Sequence, residues 1–174
     1  MALYALGGLE PRIHPSAFVH PEAVVIGNVE IGAESSVWPS AVIRGDDGPP
    51  IVIGERTSVQ DGAVVHCKVE VGPTVVGSNC TIGHLAHLEG CTVHDWALVG
   101  SGATVLHYAV VESWSLVAAG AVVTPRTIVP SRALAVGVPA KIKEGAASEI
   151  EISDPVEKYL KRAQRFKAEL RRIG

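Results

Sequence analysis

The sequence predicts an all-β fold, a parallel β-helix of hexapeptide repeats, with one C-terminal α-helix packed alongside. Two observations predict it: an aliphatic residue recurs every six positions through most of the chain, and an amphipathic segment with helix-start signals follows. We divide the 174 residues into two parts. Residues 1–142 form the repeat domain with a terminal strap, and residues 143–174 form a linker and the helix.

The six-residue repeat runs through four stretches of chain, and every slot in them is Ile, Val or Leu. In an α-helix these positions would not share a face, whereas short strands joined by turns bring them all inside. Three hexads make one coil of a triangular prism, and the four stretches supply roughly six coils. The slots are Ile13, Val19, Val25, Ile31, Val37 and Ile43, then Ile53, Val59, Val65 and Val71, then Val76, Ile82 and Leu88, then Val93, Val99, Val105, Val111, Val117 and Val123.

The aliphatic repeat stops near Thr124, and the prolines in the segment that follows predict an irregular strap. The helix is predicted to begin at Asp154 as N-cap, with Pro155 in the first turn and Glu157 completing a capping box. Its apolar stripe is expected to pack along one face of the prism. The stripe consists of Val156, Leu160, Ala163, Phe166 and Leu170.

Composition and charge exclude several classes of function. The formal net charge is −3, and no basic stripe lies outside the predicted helix, so nucleic-acid binding is not expected. The N-terminal segment lacks a basic signal-peptide region, and no apolar run approaches the ~18 residues of a membrane span. Cys67, Cys80 and Cys91 show no pairing pattern, which is typical of reduced thiols. We therefore predict a cytoplasmic protein without nucleic-acid or membrane partners.

Several polar residues follow directly after aliphatic slots, so alternation along a strand turns them away from the core. They are Arg44, Gln60, His66 and Glu89, with His84 at or near a corner. By the hexad count His66 and His84 lie one coil apart, ~4.8 Å, which is within reach of one bridging metal ion. The same count places His66 and Glu89 on different faces, so we expect that one chain cannot complete the site alone.

Three motifs in this order resemble the γ-class carbonic anhydrase family of hexapeptide-repeat proteins: Arg44-Gly45-Asp46, Gln60-Asp61 followed by His66, and Gly83-His84. The resemblance covers roughly residues 10–142. It implies a left-handed β-helix, against the usual crossover rule, and a homotrimer with metal sites between subunits. It also implies a lyase (carbonate dehydratase) that acts on CO₂ and bicarbonate. In the family, three histidines from two subunits bind Zn²⁺ or a similar divalent ion, which activates a water to attack CO₂.

Carried over residue by residue, the resemblance makes His66 and His84 metal ligands. A glutamine and an acidic residue beside such a metal site can position the attacking water and transfer its proton. Arg44 and Asp46 correspond to an ion pair that crosses the trimer interface in the family, and we favour that assembly role for them. The candidate catalytic residues are Gln60, Asp61, Arg44 and Asp46.

The sequence departs from the family at the third metal ligand, where Glu89 stands in place of histidine. We favour Glu89 as the ligand, because a carboxylate oxygen is an ordinary zinc ligand. His87 is the alternative third ligand, and a site that binds metal weakly or not at all is another. A carboxylate ligand lowers the net positive charge of the site, so the metal lowers the pKa of its bound water less. Ions that prefer oxygen ligands, such as Fe²⁺ or Mn²⁺, become candidates beside Zn²⁺, as does Co²⁺. A CO₂ hydratase with this site is expected to have an alkaline-shifted pH profile and a modest rate.

Two other functions are the main alternatives to the carbonic anhydrase-like enzyme, and a thioesterase activity is a minor third. Many hexapeptide-repeat proteins transfer acyl groups from coenzyme A, so an acyltransferase of the acetyl-CoA class is one alternative. A non-catalytic assembly protein that keeps the prism and the trimer is the other, and Glu89 is its main support. The sequence leaves open the metal, the physiological substrate, the subunit that supplies each ligand, and whether the protein is catalytically active.

Overall fold

The structure, a computed structural model that describes residues 2–174, is a left-handed parallel β-helix followed by one α-helix, which confirms the predicted fold class. Each coil contributes one strand to each of three sheets, which form the faces of the prism. The first sheet contains β1 (Ala2–Tyr4), β4 (Val24–Gly27), β7 (Val42–Gly45), β10 (Val64–His66), β13 (His87–Glu89), β16 (Thr104–Val105) and β19 (Val122–Val123). The second contains β2 (Arg12–Ile13), β5 (Val29–Ile31), β8 (Ile51–Ile53), β11 (Thr74–Val76), β14 (Thr92–Val93), β17 (Val110–Val111) and β20 (Ile128–Val129). The third contains β3 (Phe18–Val19), β6 (Ser36–Val37), β9 (Ser58–Val59), β12 (Thr81–Ile82), β15 (Leu98–Val99), β18 (Leu116–Val117), β21 (Leu134–Val136) and β22 (Lys141–Lys143).

Nearly all of the predicted aliphatic slots point into the prism and form its core. Strands of one face pair in parallel and in register, so that Val65 lies between Ile43 and Leu88, and all three are fully buried. Burial of each such side chain contributes about 1.5–3 kcal/mol to stability. Because every coil contacts only its neighbours, the stability of the prism is approximately a sum over adjacent coils.

Close approach of neighbouring coils explains the glycines that follow aliphatic slots. A Cβ atom built at Gly54 would lie 2.6 Å from the carbonyl carbon of Gly77, which occupies the same corner one coil further along. No side chain fits at that distance, so glycine is required there. The left-handed backbone conformation at this corner falls on other residues, such as Arg56 and Asn79, each with φ of 55°.

The repeat extends beyond the predicted limits. β1 precedes the first predicted slot, and β20 and β21 continue the prism past Thr124 with Val129 and Ala135 fully buried. The prediction of an irregular strap from Thr124 was therefore wrong, because the prolines occupy corners, where the turns tolerate them. Only β22 leaves the pattern, since it runs antiparallel to β21. One slot was also wrong: Val71 lies in a loop between β10 and β11, and Thr74 is the buried residue.

Helix α1 spans Glu149–Glu169 and begins earlier than predicted. Its N-cap is Ser148, whose hydroxyl accepts from the backbone N–H of Glu151 at 3.4 Å, so the predicted cap Asp154 lies inside the helix. Pro155 also lies inside and removes one backbone hydrogen bond. Burial of the first turns against the prism offsets that loss. The buried residues of the helix are Ile152, Val156, Tyr159 and Ala163.

Helix α1 packs along the third sheet through an aromatic cluster centred on Trp38. The Trp38 ring meets Tyr159 and Phe166 edge to face, with centroid separations of 5.1 and 5.0 Å, and Phe18 at 5.5 Å. Its indole N–H donates to the Ser36 hydroxyl at 2.9 Å. The cluster fixes the helix on the prism and brings Tyr159 to the corner that carries His84. Between residues 2 and 174, no helix is both long and apolar enough to cross a membrane.

Candidate metal centre

Three candidate residues stand side by side on the outer surface of the first sheet. Arg44 of β7 is paired in register with His66 of β10, and His66 is paired with Glu89 of β13. Each follows a buried aliphatic residue, so strand alternation turns it outward. The prediction that His66 and Glu89 lie on different faces was wrong. The loop 67–73 makes the coil between His66 and Glu89 longer than three hexads. Counting in steps of six therefore assigns Glu89 to the wrong face.

Asp46 joins Arg44 to His66. The Arg44 guanidinium donates to Asp46 Oδ2, and Asp46 Oδ1 lies 3.1 Å from His66 Nε2. Both contacts form within one chain. The carboxylate therefore fixes one ring nitrogen of His66 and leaves Nδ1 facing Glu89. Hydrogen bonds of this type orient metal-ligating histidines in proteins.

Glu89 lies at the centre of three histidines. Its Oε1 atom is 2.8 Å from His107 Nε2, and its Oε2 atom is 3.5 Å from His66 Nδ1 and 3.5 Å from His87 Nε2. Only the first of these distances is that of a good hydrogen bond. His107 therefore holds the carboxylate, and the second oxygen faces His66 and His87 without a close hydrogen bond to either.

The surroundings of both carboxylates favour their ionised forms. Burial acts to raise the pKa of Asp46, but hydrogen bonds from Arg44 and the backbone outweigh it, so the pKa lies below its ordinary value. Burial likewise acts to raise the pKa of Glu89, and hydrogen bonds from His107 and His66 more than offset it. Ionised carboxylates are the forms that bind metal ions.

His66 and Glu89 lie at the C-terminal ends of their strands, along one edge of the first sheet. His84 lies at the other edge, formed by the N-terminal ends of the strands, in the corner between β12 and β13. Its Nδ1 atom is 2.9 Å from Asp61 Oδ2, and its Nε2 atom is 3.3 Å from the Tyr159 hydroxyl. Burial raises the pKa of Tyr159, which keeps its phenol protonated and able to donate. The prediction that His66 and His84 stack one coil apart was wrong, because the neighbour of His66 in the next coil is Glu89.

Two grooves flank His84, and both are bordered by Tyr159 and Arg162 of helix α1. One has a volume of about 330 Å³ and is lined by Gln60, which is 4% exposed. The other has a volume of about 350 Å³ and is lined by Asp61. The Arg162 guanidinium lies 4.9 Å from the Tyr159 ring centroid and forms no ion pair with any carboxylate of residues 2–174. The grooves can therefore admit a small polar or anionic molecule beside His84.

Sequence reasoning missed His107, for which no partner was identified. A signal was available, because His107 follows Glu89 by 18 residues, the length of three hexads. His87, the alternative third ligand, also lies on the first sheet, in register between Val64 and Thr104. The structure thus brings His66, Glu89 and His107 together with His87, and it places His84 elsewhere.

The donor atoms of His66 and Glu89 suit part of a metal site. Ligand atoms ~2.0–2.1 Å from a tetrahedral zinc ion lie ~3.3 Å apart. The 3.5 Å between His66 Nδ1 and Glu89 Oε2 is close to that spacing. Within residues 2–174, no three His, Cys, Asp or Glu side chains are grouped so that they could hold a metal ion. One chain therefore offers two ligands at one edge of the first sheet and His84 at the other.

Comparison with known proteins establishes the family. Residues 10–45 and 73–107 match the model of the bacterial transferase hexapeptide (six repeats) family. The chain is 41% identical over 161 residues to the mitochondrial γ-carbonic anhydrase 2 of Arabidopsis thaliana, covering 88% of this chain and 58% of that protein. It is 40% identical over 141 residues to the carnitine operon protein CaiE of Escherichia coli K12, covering 81% of this chain and 71% of that protein. The chain belongs to the γ-carbonic anhydrase-like family of hexapeptide-repeat proteins.

Solved structures of other hexapeptide-repeat proteins share the fold of this chain. A hexapeptide transferase family protein from Anaplasma phagocytophilum superposes with a TM-score of 0.89 at 36% identity, covering 95% of this chain and 98% of that one. A putative acetyltransferase from Bacillus cereus superposes with a TM-score of 0.91 at 30% identity, covering 96% and 97%. The chain spans 58% and 49% of the two Arabidopsis γ-carbonic anhydrases it matches. Their names and those of the solved structures point to two different activities.

Proposed function

We propose that this γ-carbonic anhydrase-like protein is a metal-dependent enzyme that hydrates CO₂ reversibly at a site between subunits of a homotrimer. The observation that carries the proposal is the 3.5 Å approach of His66 Nδ1 to Glu89 Oε2, with each side chain fixed from its far side. The names of the two Arabidopsis relatives support CO₂ as the substrate. Glu89 in place of a third histidine is the feature that sets this site apart.

The third ligand in this proposal is His84 from a neighbouring subunit. Within one chain, His84 lies in the turn before β13 and Glu89 at the end of β13, and the five residues from one to the other can span at most ~17 Å. In a closed ring of three prisms whose first sheets face one another, one edge of each sheet meets the opposite edge of the next. That arrangement brings a neighbour's His84 to His66 and Glu89.

The first sheet carries an outward stripe of valines, interrupted by His87 and Thr104, beside the candidate ligands. Outward positions of successive strands are paired in register, and four of them carry valine side chains that are partly exposed in the isolated chain. β-branched side chains facing solvent on a flat sheet are suited to a subunit contact. The four residues are Val24, Val42, Val64 and Val122. The second sheet has a similar outward row of valines, so the candidate ligands are what favour the first sheet as the interface.

The residues around the site have separate roles in binding the metal, orienting its ligands and orienting the substrate. A divalent ion held by His66, Glu89 and a neighbour's His84, whether Zn²⁺, Fe²⁺, Co²⁺ or Mn²⁺, supplies a Lewis acid that lowers the pKa of a water molecule. Asp61 accepts from His84 Nδ1, and Nε2, which contacts the Tyr159 hydroxyl at 3.3 Å in the isolated chain, would exchange that contact for the metal ion. Gln60 offers its side-chain amide to orient a substrate in the groove beside His84.

Proton transfer and ligand orientation fall to three charged residues. The Asp61 carboxylate is 45% exposed, so it can pass a proton between the groove and solvent. Asp46, itself held by Arg44, fixes the ring of His66. Arg44 and Asp46 therefore act by positioning a ligand.

Substitution of Glu89 tests the proposal. We expect purified protein to contain about one divalent ion per subunit, Glu89→Ala to lose most of it, and Glu89→His to retain it. Glu89→His restores the charge of a three-histidine site, so it should move the pH profile of CO₂ hydration from alkaline toward neutral. Metal analysis and a CO₂-hydration assay across pH measure these effects. Glu30→Ala, which alters an exposed glutamate on the second sheet, is the control.

Unchanged metal content and unchanged hydration in Glu89→Ala would contradict the proposal. A neutral-pH plateau at high rate in the unsubstituted protein would contradict the role given to the carboxylate.

Acyl transfer is the second candidate function. The observation that favours it is the 2.9 Å contact between His84 Nδ1 and Asp61 Oδ2, because a carboxylate-oriented histidine is also the arrangement of a general base. The names of the Anaplasma and Bacillus structures point the same way. Acetyl-CoA distinguishes the two functions: an acyltransferase is stabilised against heat by it and is indifferent to a chelator, whereas the metal-dependent hydratase responds to the chelator alone.

A further inference from the structure

His107 is fixed to the prism by its corner. It lies two residues after the end of β16, and its carbonyl accepts from the backbone N–H of Arg126 in the next coil at 2.9 Å. The next residue, Tyr108, donates its backbone N–H to Gly90 at 2.6 Å and its hydroxyl to the carbonyl of Glu70 at 2.9 Å. The imidazole packs close to Gly90, where a Cβ atom would lie 3.8 Å from its Cδ2 atom. The backbone position of His107 is thus set by the repeat, and the imidazole reaches Glu89 from that fixed point.

The His107 contact divides the two oxygens of Glu89 between different tasks. Oε1 lies 2.8 Å from His107 Nε2, whereas Oε2 lies 3.5 Å from His66 Nδ1. A free glutamate samples many rotamers, and fixing it costs conformational free energy. A glutamate already held at one oxygen presents the other as a single, preoriented ligand atom.

Each of the two proposed ligands, His66 and Glu89, is held by one partner side chain. In one pair the carboxylate of Asp46 holds the imidazole of His66, and in the other the imidazole of His107 holds the carboxylate of Glu89. The free donor atoms of both pairs face each other. Partners of this kind typically contribute 10–100-fold to metal affinity.

From this geometry we infer that His107 is the positioning residue that makes Glu89 a one-oxygen metal ligand. The inference rests on the proposed metal site. His107 touches neither the metal nor the substrate in this arrangement and acts only through Glu89. It explains how a carboxylate can occupy the place of a histidine without losing a defined orientation.

The test is the affinity of the full-length protein for Zn²⁺, measured by competition with a chelator, together with the visible spectrum of the Co²⁺ form. His107→Phe keeps a ring but removes the N–H, and we expect it to weaken Zn²⁺ binding about 10–100-fold and to change the Co²⁺ spectrum. His107→Gln keeps a donor and should recover most of the affinity. His94→Phe, which changes an exposed histidine at a different corner, is the matched control.

A double-mutant cycle distinguishes positioning from a purely structural role. If His107 acts through Glu89, then His107→Phe causes no further loss of Zn²⁺ affinity in a Glu89→Ala background. An equal loss in both backgrounds, or Zn²⁺ affinity in His107→Phe equal to that of the unsubstituted protein, overturns the inference and leaves the proposed function standing. Failure of the unsubstituted protein to bind Zn²⁺ or Co²⁺ overturns the proposed function itself.

Discussion

At the scale of single residues, the prism decides the chemistry of each side chain by the direction in which it points. Cys80 and Cys91 point inward and are almost wholly buried, and burial raises the pKa of each thiol to about 12. A thiolate is costly in an apolar core, so the neutral form persists far above pH 9. Outward residues of the same coils, such as Glu89, meet charged partners instead.

Thiol reactivity should follow this burial. We expect Cys80 to resist alkylation by iodoacetamide at pH 8.5 in the folded protein and to react fully in denaturant, since the thiolate is the reactive form. The folded pKa of about 12 exceeds the ordinary 9.0, so the group stabilises the fold below pH 9 and that contribution is lost as pH rises toward 12. Mass spectrometry of tryptic peptides, with denatured protein as control, measures the labelling. Rapid labelling of native Cys80 would contradict the burial argument.

At the scale of elements, the coil spacing is set by backbone contact at the corners. Gly32, Gly54 and Gly77 occupy one corner of successive coils, and the backbone of each next coil approaches within the space of a Cβ atom. Strands as short as two residues, such as β9 and β12, rely on this spacing because each forms few hydrogen bonds of its own. A side chain at such a corner separates two coils.

Alanine at one of these corners should therefore destabilise the prism. We expect Gly54→Ala to lower the free energy of unfolding by about 1–3 kcal/mol, the usual cost of overpacking. Gly8→Ala is the control, because its Cβ would meet nothing within 4 Å. Thermal and denaturant unfolding measure both variants. Equal stability of Gly54→Ala and the unsubstituted protein would show that the corner can open without cost.

At the scale of the whole molecule, the candidate site is divided between the two edges of one sheet. His66 and Glu89 occupy one edge, and His84 with Asp61 occupies the other. The valine stripe of the first sheet lies between those edges. The proposed trimer therefore uses one surface both to assemble and to complete the metal site.

A charge in the valine stripe should abolish assembly and metal binding together. We expect Val42→Lys to give monomers in light-scattering measurements and to lower the bound metal several-fold, because a buried unpaired charge is costly and the neighbour's His84 is lost. Val75→Lys, at an outward position of the second sheet, is the control and should remain trimeric. Tight metal binding by a Val42→Lys monomer would show that one chain suffices.

The six-residue repeat predicted most of the fold, but it did not predict where the repeat is interrupted or where the helix begins. The six-residue spacing predicted the prism and placed Val65 and Leu88 in the core, because only stacked short strands bury every slot. It failed at Val71, since an inserted loop breaks the period without changing local composition. It also failed at the start of α1, where Ser148 was overlooked in favour of the capping pattern at Asp154.

The candidate site was predictable only in part. Outward alternation and the family motifs pointed to His66, His84 and Glu89, while the hexad count misplaced them relative to one another. Which residues lie beside His66 and Glu89 depends on the number of residues in each coil, and the loop 67–73 sets that number for the coil between them. His107 was within reach of the period, but its contact with Glu89 depends on side-chain orientation.

The sequence by itself determined that this chain winds into a prism, because periodic burial of aliphatic side chains admits no other regular structure. It also determined which polar residues face outward, because alternation along a strand is strict. Only the tertiary structure decided which of them meet. The registers of β7, β10 and β13 bring Arg44, His66 and Glu89 into one row and leave His84 at the far edge, since coil length, and not spacing along the chain, sets what lies beside each strand.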